Sequence, residues 1–171
     1  MTVEQYSALP EPVGGRYELH HGELVFVTFP KMRHWKTQRR LIELLSGLAS
    51  GNGIVGGEFA FRPQPQHELW AADVAYVTQS RYDAVDPDDY LRGSPELVIE
   101  VLSPSNTVSE MNDREAMCLE NGCLEFWIVN PDRKTVKVST PDRRSITYLE
   151  SESIPLTVPL KAELPVADIF R

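Results

Sequence analysis

Ten residues, Pro95-Glu96-Leu97-Val98-Ile99-Glu100-Val101-Leu102-Ser103-Pro104, constrain this chain more than any other stretch. Leu97, Val98, Ile99, Val101 and Leu102 make a continuous apolar run of strand length, closed by proline at either end. A strand covered on both faces reads this way. Within a core, an isolated carboxylate is costly unless it is paired, protonated or bound to a cation. Glu100 therefore reads as a metal or catalytic carboxylate, against the plainer alternative of a glutamate at a strand edge facing water.

A second stretch has the same shape. Leu69-Trp70-Ala71-Ala72-Asp73-Val74-Ala75-Tyr76-Val77 is strand-like with Asp73 inside it, although aspartate is depleted in strands. If the two strands lie side by side, Asp73 and Glu100 converge on one hard cation such as Mg²⁺, which prefers carboxylate oxygens and keeps several waters. Phosphodiester hydrolysis needs that arrangement, because the ion polarises the phosphate, lowers the pKa of an attacking water and stabilises the leaving oxygen.

The rest of the chain reads as support. Residues Met1 to Pro12 form a short amphipathic or irregular lead-in, and Gly14-Gly15 starts a hairpin whose strands, Arg16–His20 and Glu23–Val27, meet at His21-Gly22. His20 and His21 read as two exposed turn residues, since neighbours on a strand point to opposite faces. A helix is expected from His34 to Gly51, with Leu41, Leu44, Leu45 and Leu48 as its buried stripe. Its first half carries Lys31, Arg33, His34, Lys36, Arg39 and Arg40, read as a solvated face in preference to a phosphate-contacting one.

Ile54 to Phe61, with Glu58 inside it, is expected to pair antiparallel with the Asp73 strand, and Ser80 to Arg92 to be a polar surface excursion. Thr107 with Glu110 is a capping box, so a helix should run from Val108 to Asn121 and stop at Gly122. The strand Cys123 to Val129 then completes a right-handed crossover parallel to the Glu100 strand. Thr135–Ser139 and Ile146–Leu149 continue as a meander, and the tail from Ile154 to Phe170, with its three prolines, should cover a sheet edge or a neighbouring subunit.

At 171 residues the expectation is one domain, 1–171, with a sizeable core. No apolar stretch is long enough for a bilayer span, and no basic and apolar leader precedes the first strand, so a cytoplasmic location is the default expectation. Cys118 and Cys123 have the spacing of neither a disulfide framework nor a zinc site and read as packing residues. With 17 Lys and Arg against 25 Asp and Glu, the net charge is −8. That argues against tight non-specific DNA binding, though a local basic groove is compatible with it.

The order Tyr17-Glu18-Leu19…Gly22-Glu23-Leu24-Val25, His34, the Asp73 strand, Pro95 to Ser105, and Gly122-Cys123-Leu124-Glu125-Phe126-Trp127-Ile128-Val129 resembles the Uma-two family of restriction-endonuclease-like proteins over nearly the whole chain. The resemblance implies an α/β fold of the PD-(D/E)xK nuclease type, a restriction-endonuclease-like core with a central mixed sheet flanked by helices, an N-terminal hairpin and a C-terminal meander. It implies Asp73 and Glu100 as ligands of Mg²⁺ or Mn²⁺. The proline that precedes the family's first aspartate is Ala72 here, Leu102 stands where the general nuclease motif has lysine, and the family's relocated lysine matches Arg114. Arginine can hold a phosphate but stays protonated.

The leading expectation is thus a metal-dependent endonuclease acting on DNA, with catalytic residues Asp73, Glu100 and Arg114. The Val101 carbonyl and Glu58 are the further candidate ligands, and Arg114 orients the water or the scissile phosphate. Two alternatives stand beside it: a catalytically impaired binding or assembly module on a nuclease scaffold, and a metal-dependent hydrolase of small phosphate esters. DNA is the expected partner, membranes are not, and a homodimer is the candidate assembly.

Overall fold

The computed structural model describes residues 1–159 and 161–171. In chain order its elements are α1 (Val3–Tyr6), β1 (Gly15–His20), β2 (Glu23–Thr28), α2 (Met32–Ala49), β3 (Gly53–Arg62), β4 (Trp70–Thr78), α3 (Gln79–Asp83) and β5 (Leu91–Arg92). They continue as β6 (Leu97–Val101), α4 (Val108–Glu120), β7 (Glu125–Asn130), β8 (Thr135–Ser139), β9 (Ser145–Tyr148), β10 (Ser153–Leu156), β11 (Ala162–Pro165) and α5 (Val166–Ile169).

Seven strands form one mixed sheet in the order β5-β3-β4-β6-β7-β8-β9. β6 lies at its centre, antiparallel to β4 and parallel to β7. The parallel pair is joined by α4, the crossover that the hydrophobic runs on either side of a capped helix require. Both halves of the Thr107–Glu110 capping box form, and Gly122 adopts φ +109° to release the chain into β7. All five residues of β6 are buried. Alternation along the strand sends Leu97, Ile99 and Val101 into one apolar cluster and Val98 into another.

The first cluster is roofed by α2 through Leu41, Leu45 and Ala49, and by Ile154, Leu156, Leu164, Val166 and Ile169 of the β10–β11 hairpin and α5. The tail therefore packs beneath α2 against a face of the sheet, and not over an edge or a second subunit as its sequence suggests. Its spaced apolar residues fit a third layer. The second cluster gathers Phe61, Trp70, Ala75, Val77 and Phe126 against Cys118 of α4. Among the described residues, no helix is long and apolar enough to cross a membrane.

Two local differences from the sequence reading have simple causes. α2 starts two residues before His34 and buries Thr37 and Gln38 on the same stripe as Leu41 and Leu45, while Leu44 and Leu48 are only half-buried. The stripe turns polar where it passes the end of the sheet. His20 is likewise not an exposed turn residue: it is half-buried, with its ring 5.0 Å from that of Trp70. His21 and Gly22 do make the turn, with φ of +52° and +77°.

Burial pushes the Cys118 thiol well up and raises Cys123 to about 12, so neither is a thiolate at neutral pH. Both should resist a thiol-specific reagent in the native protein and react as urea unfolds it. Leu45→Ala, which empties a fully buried site on the α2 face, should cost about 2–5 kcal/mol in urea denaturation.

Candidate active site

The β4–β6 ladder pairs Tyr76 with Leu97, Ala75 with Val98 and Val74 with Ile99, and then stops. One step further, the same register sets Asp73 opposite Glu100. There, side chains take the place of ladder partners. The Val101 N–H donates to Asp73 Oδ2 (2.7 Å), and the Ala71 carbonyl accepts from Arg114 Nη2 (2.9 Å).

Side-chain alternation slips at the same point. Trp70 and Ala72 share the α4-side cluster with Ala75 and Val77, whereas Val74 and Tyr76 lie in the α2-side cluster. On β3 the register runs Gly57 to Val74 and Phe59 to Ala72, with Glu58 between them at φ +49°. A left-handed, non-glycine residue inside a strand is costly and tends to mark functional sites. Here it coincides with the place where Asp73 can reach towards α2 while Glu100 faces α4.

Asp73 is held from α2. His34 Nε2 lies 3.0 Å from Oδ2, and Gln38 Nε2 donates to the Asp73 carbonyl (3.0 Å), to Oδ1 (3.3 Å) and to Glu58 Oε1 (2.7 Å). Burial works against a charged His34, but its contact with Asp73 outweighs this and raises its pKa. Glu58 also meets Arg16, whose guanidinium continues to Glu18 (2.9 Å).

Glu100 is held from α4. Arg114 is buried and donates through Nη2 to Glu100 Oε1 (3.0 Å) and through Nη1 to Glu18 Oε2 (3.0 Å), and its guanidinium lies 5.0 Å over the Trp70 ring. One cation thus serves two buried carboxylates. Burial pushes Glu100 up to about 8, with Arg114 opposing and the charges of Asp73 and Glu18 adding to the rise. Burial would raise Glu18 as well, yet Arg114, His20 and Arg16 hold it down at about 2.

The polar chain closes on itself: Glu100, Arg114, Glu18, Arg16, Glu58, Gln38 and Asp73 follow one another, and the Val101 N–H returns to the starting strand. Asp73, Glu100, Glu58 and Arg114, all named from sequence, sit in this ring, and the Val101 side chain faces the opposite cluster. Sequence reasoning missed Glu18, Arg16 and Gln38 as members. Gln38 had a signal, because carrying the stripe of Leu45 and Leu41 back one turn lands on it. Glu18 stands in the Tyr17-Glu18-Leu19 run that carries the family resemblance, but its place in an ordinary hairpin gave it no role.

Among the described residues, no three His, Cys, Asp or Glu side chains form a ready-made metal cage. The donors present are nonetheless hard carboxylate oxygens, which suit Mg²⁺ or Mn²⁺. Glu100 Oε1 bonds to Arg114, and a second cation beside this raised carboxyl would favour its charged form.

A family model, Uma2, described as "Putative restriction endonuclease", matches residues 3–167. Among solved structures, the crystal structure of a "putative nuclease belonging to DUF820" from Anabaena variabilis superposes with a TM-score of 0.84 at 18% identity, covering 99% of this chain and 97% of that one. At that identity the likeness is one of fold. No curated protein matches.

Glu18→Gln should destabilise the protein by about 3 kcal/mol at neutral pH, because it leaves part of the buried Arg114 charge uncompensated. The Glu18 pKa is depressed on folding, so its contribution is full above its ordinary value of 4.5 and fades as pH falls towards about 2. Urea denaturation of both proteins from pH 7 downwards should show the gap narrowing in that window.

Proposed function

We propose, because the chain belongs to the Uma2 family, that it is a divalent-metal-dependent nuclease hydrolysing phosphodiester bonds of DNA at the Asp73–Glu100 site. The observation that carries this reading is the split between β4 and β6. It brings two acids from core strands to the same step of the register, beside a buried arginine.

Asp73 and Glu100, near enough for the Asp73 charge to raise the Glu100 carboxyl although one is held from α2 and the other from α4, would hold the ion, with the Val101 carbonyl and Glu58 as further oxygen donors. When bound, the ion supplies an activated water and charge neutralisation at the phosphate. The protein's own groups do the positioning. Val101 N–H, His34 and Gln38 fix the Asp73 carboxylate. Arg114 fixes Glu100 and offsets its charge, which makes it a positioning residue more than a base, since guanidinium does not give up its proton.

The capture of Arg114 between two carboxylates also favours a second reading, a binding or assembly module that keeps the scaffold without turnover. Plasmid incubated with the protein and Mg²⁺ or Mn²⁺ should be cut, and Asp73→Ala or Glu100→Ala should lower the rate by about a hundredfold or more. Calorimetry should show Mn²⁺ binding that Glu100→Ala removes. Absence of both cleavage and Mn²⁺ binding would leave the assembly reading, and cleavage persisting in Asp73→Ala would remove these acids from the mechanism. Hydrolysis of bis-p-nitrophenyl phosphate with no cut DNA would move the assignment to small phosphate esters.

A further inference from the structure

A cleft of about 570 Å³ lies against the ring just described, lined in part by Gln38, Glu58 and Arg16 and on its outer side by Phe29, Trp35 and Arg39. Gln38 belongs to both places, lining the cleft and donating to Asp73. Phe29 is 71% exposed and Trp35 48% exposed, an aromatic wall that core packing does not account for. Arg39 lies 5.7 Å over the Trp35 ring. Along α2, Met32, Trp35, Arg39 and Ile42 recur at helical spacing, so the stripe is continuous.

The charge around this wall is available. Arg33 and Arg40 are taken by Asp132 and Glu43, but Lys31, Lys36 and Arg39 make no ion pair among the described residues. A smaller cleft of about 380 Å³ near Arg81 and Arg92 differs in this respect, because those arginines are held by Glu96 and Asp89. In a chain of net charge −8, a short basic edge beside exposed aromatic rings is poorly suited to a rigid duplex held by many phosphates. It is well suited to a few unstacked nucleotides, whose bases stack on aromatic faces while one or two phosphates meet arginine or lysine.

We infer that the Phe29–Trp35–Arg39 cleft binds single-stranded or locally opened nucleic acid, seating an unstacked base against Trp35 beside the Asp73–Glu100 site. This rests on the nuclease reading for its substrate class and narrows that class from DNA in general to strands whose bases are free to stack.

The test is binding by the full chain in EDTA, which separates it from turnover. Trp70 and Trp127 are 1% and 0% exposed, so quenching of tryptophan emission by oligothymidylate of about ten nucleotides would come from Trp35. Anisotropy of the same labelled strand should show affinity falling about tenfold or more in Trp35→Ala, the range for one stacked base, with Trp35→Phe restoring most of it. Phe29→Ala and Arg39→Ala should each weaken binding too. A duplex of equal length should bind more weakly, and the salt slope for the single strand should be shallow, about −0.7 to −1.4 for one or two phosphates.

Single-strand binding by a protein that cuts nothing would support the inference while removing the nuclease reading. Equal affinity for duplex and single strand, or unchanged affinity in Trp35→Ala, would overturn it even if cleavage is real. So would a wild-type dimer that Trp35→Ala dissolves, because the cleft would then belong to a second copy of the chain.

Discussion

The guanidinium of Arg114 is the contact on which the rest of the site depends. It joins α4 to β6 through Glu100, to the N-terminal hairpin through Glu18, and to β4 through the Ala71 carbonyl. A glutamate in the middle of a buried strand is tolerable only because this cation stands beside it, and the cation is tolerable only because two carboxylates and an indole face surround it. The other buried acids have separate partners. Glu68 and Glu125 each accept from the indole N–H of a tryptophan two residues on, and Glu96 from Thr78. Glu18 and Glu100 alone among these share a partner, and so the protein's least comfortable charges are concentrated at one point.

Geometry explains why that point lies where it does. Strands β4 and β6 pair through the core and then stop pairing, and Asp73 and Arg114 occupy the gap with side-chain hydrogen bonds in place of ladder bonds. The left-handed Glu58 opposite the same step lets β3 follow the slip in alternation. Backbone groups left open by the split would otherwise be unsatisfied near the core. Asp73 and Arg114 therefore complete the sheet as well as serving the chemistry proposed for them, which ties the site to the fold's integrity.

Much of this was legible in the sequence, and the reasons are particular. The strand, helix, strand crossover followed from an apolar run, a capping box and a terminating glycine, all local signals of known meaning. Asp73 and Glu100 stood out because each breaks a hydrophobic pattern. The resemblance supplied the mixed sheet. The partners of these acids were not legible. Glu18 reaches Arg114 from 96 positions away, and Gln38 reaches Asp73 from 35 away. Such pairings depend on how the hairpin and α2 dock, and no local periodicity encodes that. The tail was misplaced for a related reason: spaced apolar residues between prolines say that something is covered, but not which face.

The N-terminal hairpin is attached to the body by reciprocal backbone bonds between Leu19 and Leu69 and by the ion pairs of Arg16 and Glu18. Its residues are synthesised before the groups they must meet, on α4 above all, which follow nearly a hundred positions later. Loop closure over that span is slow relative to local structure. Without that closure Arg114 and Glu100 lack their third member. The centre is therefore complete only when a 96-residue span has closed, which ties its formation to docking of the hairpin.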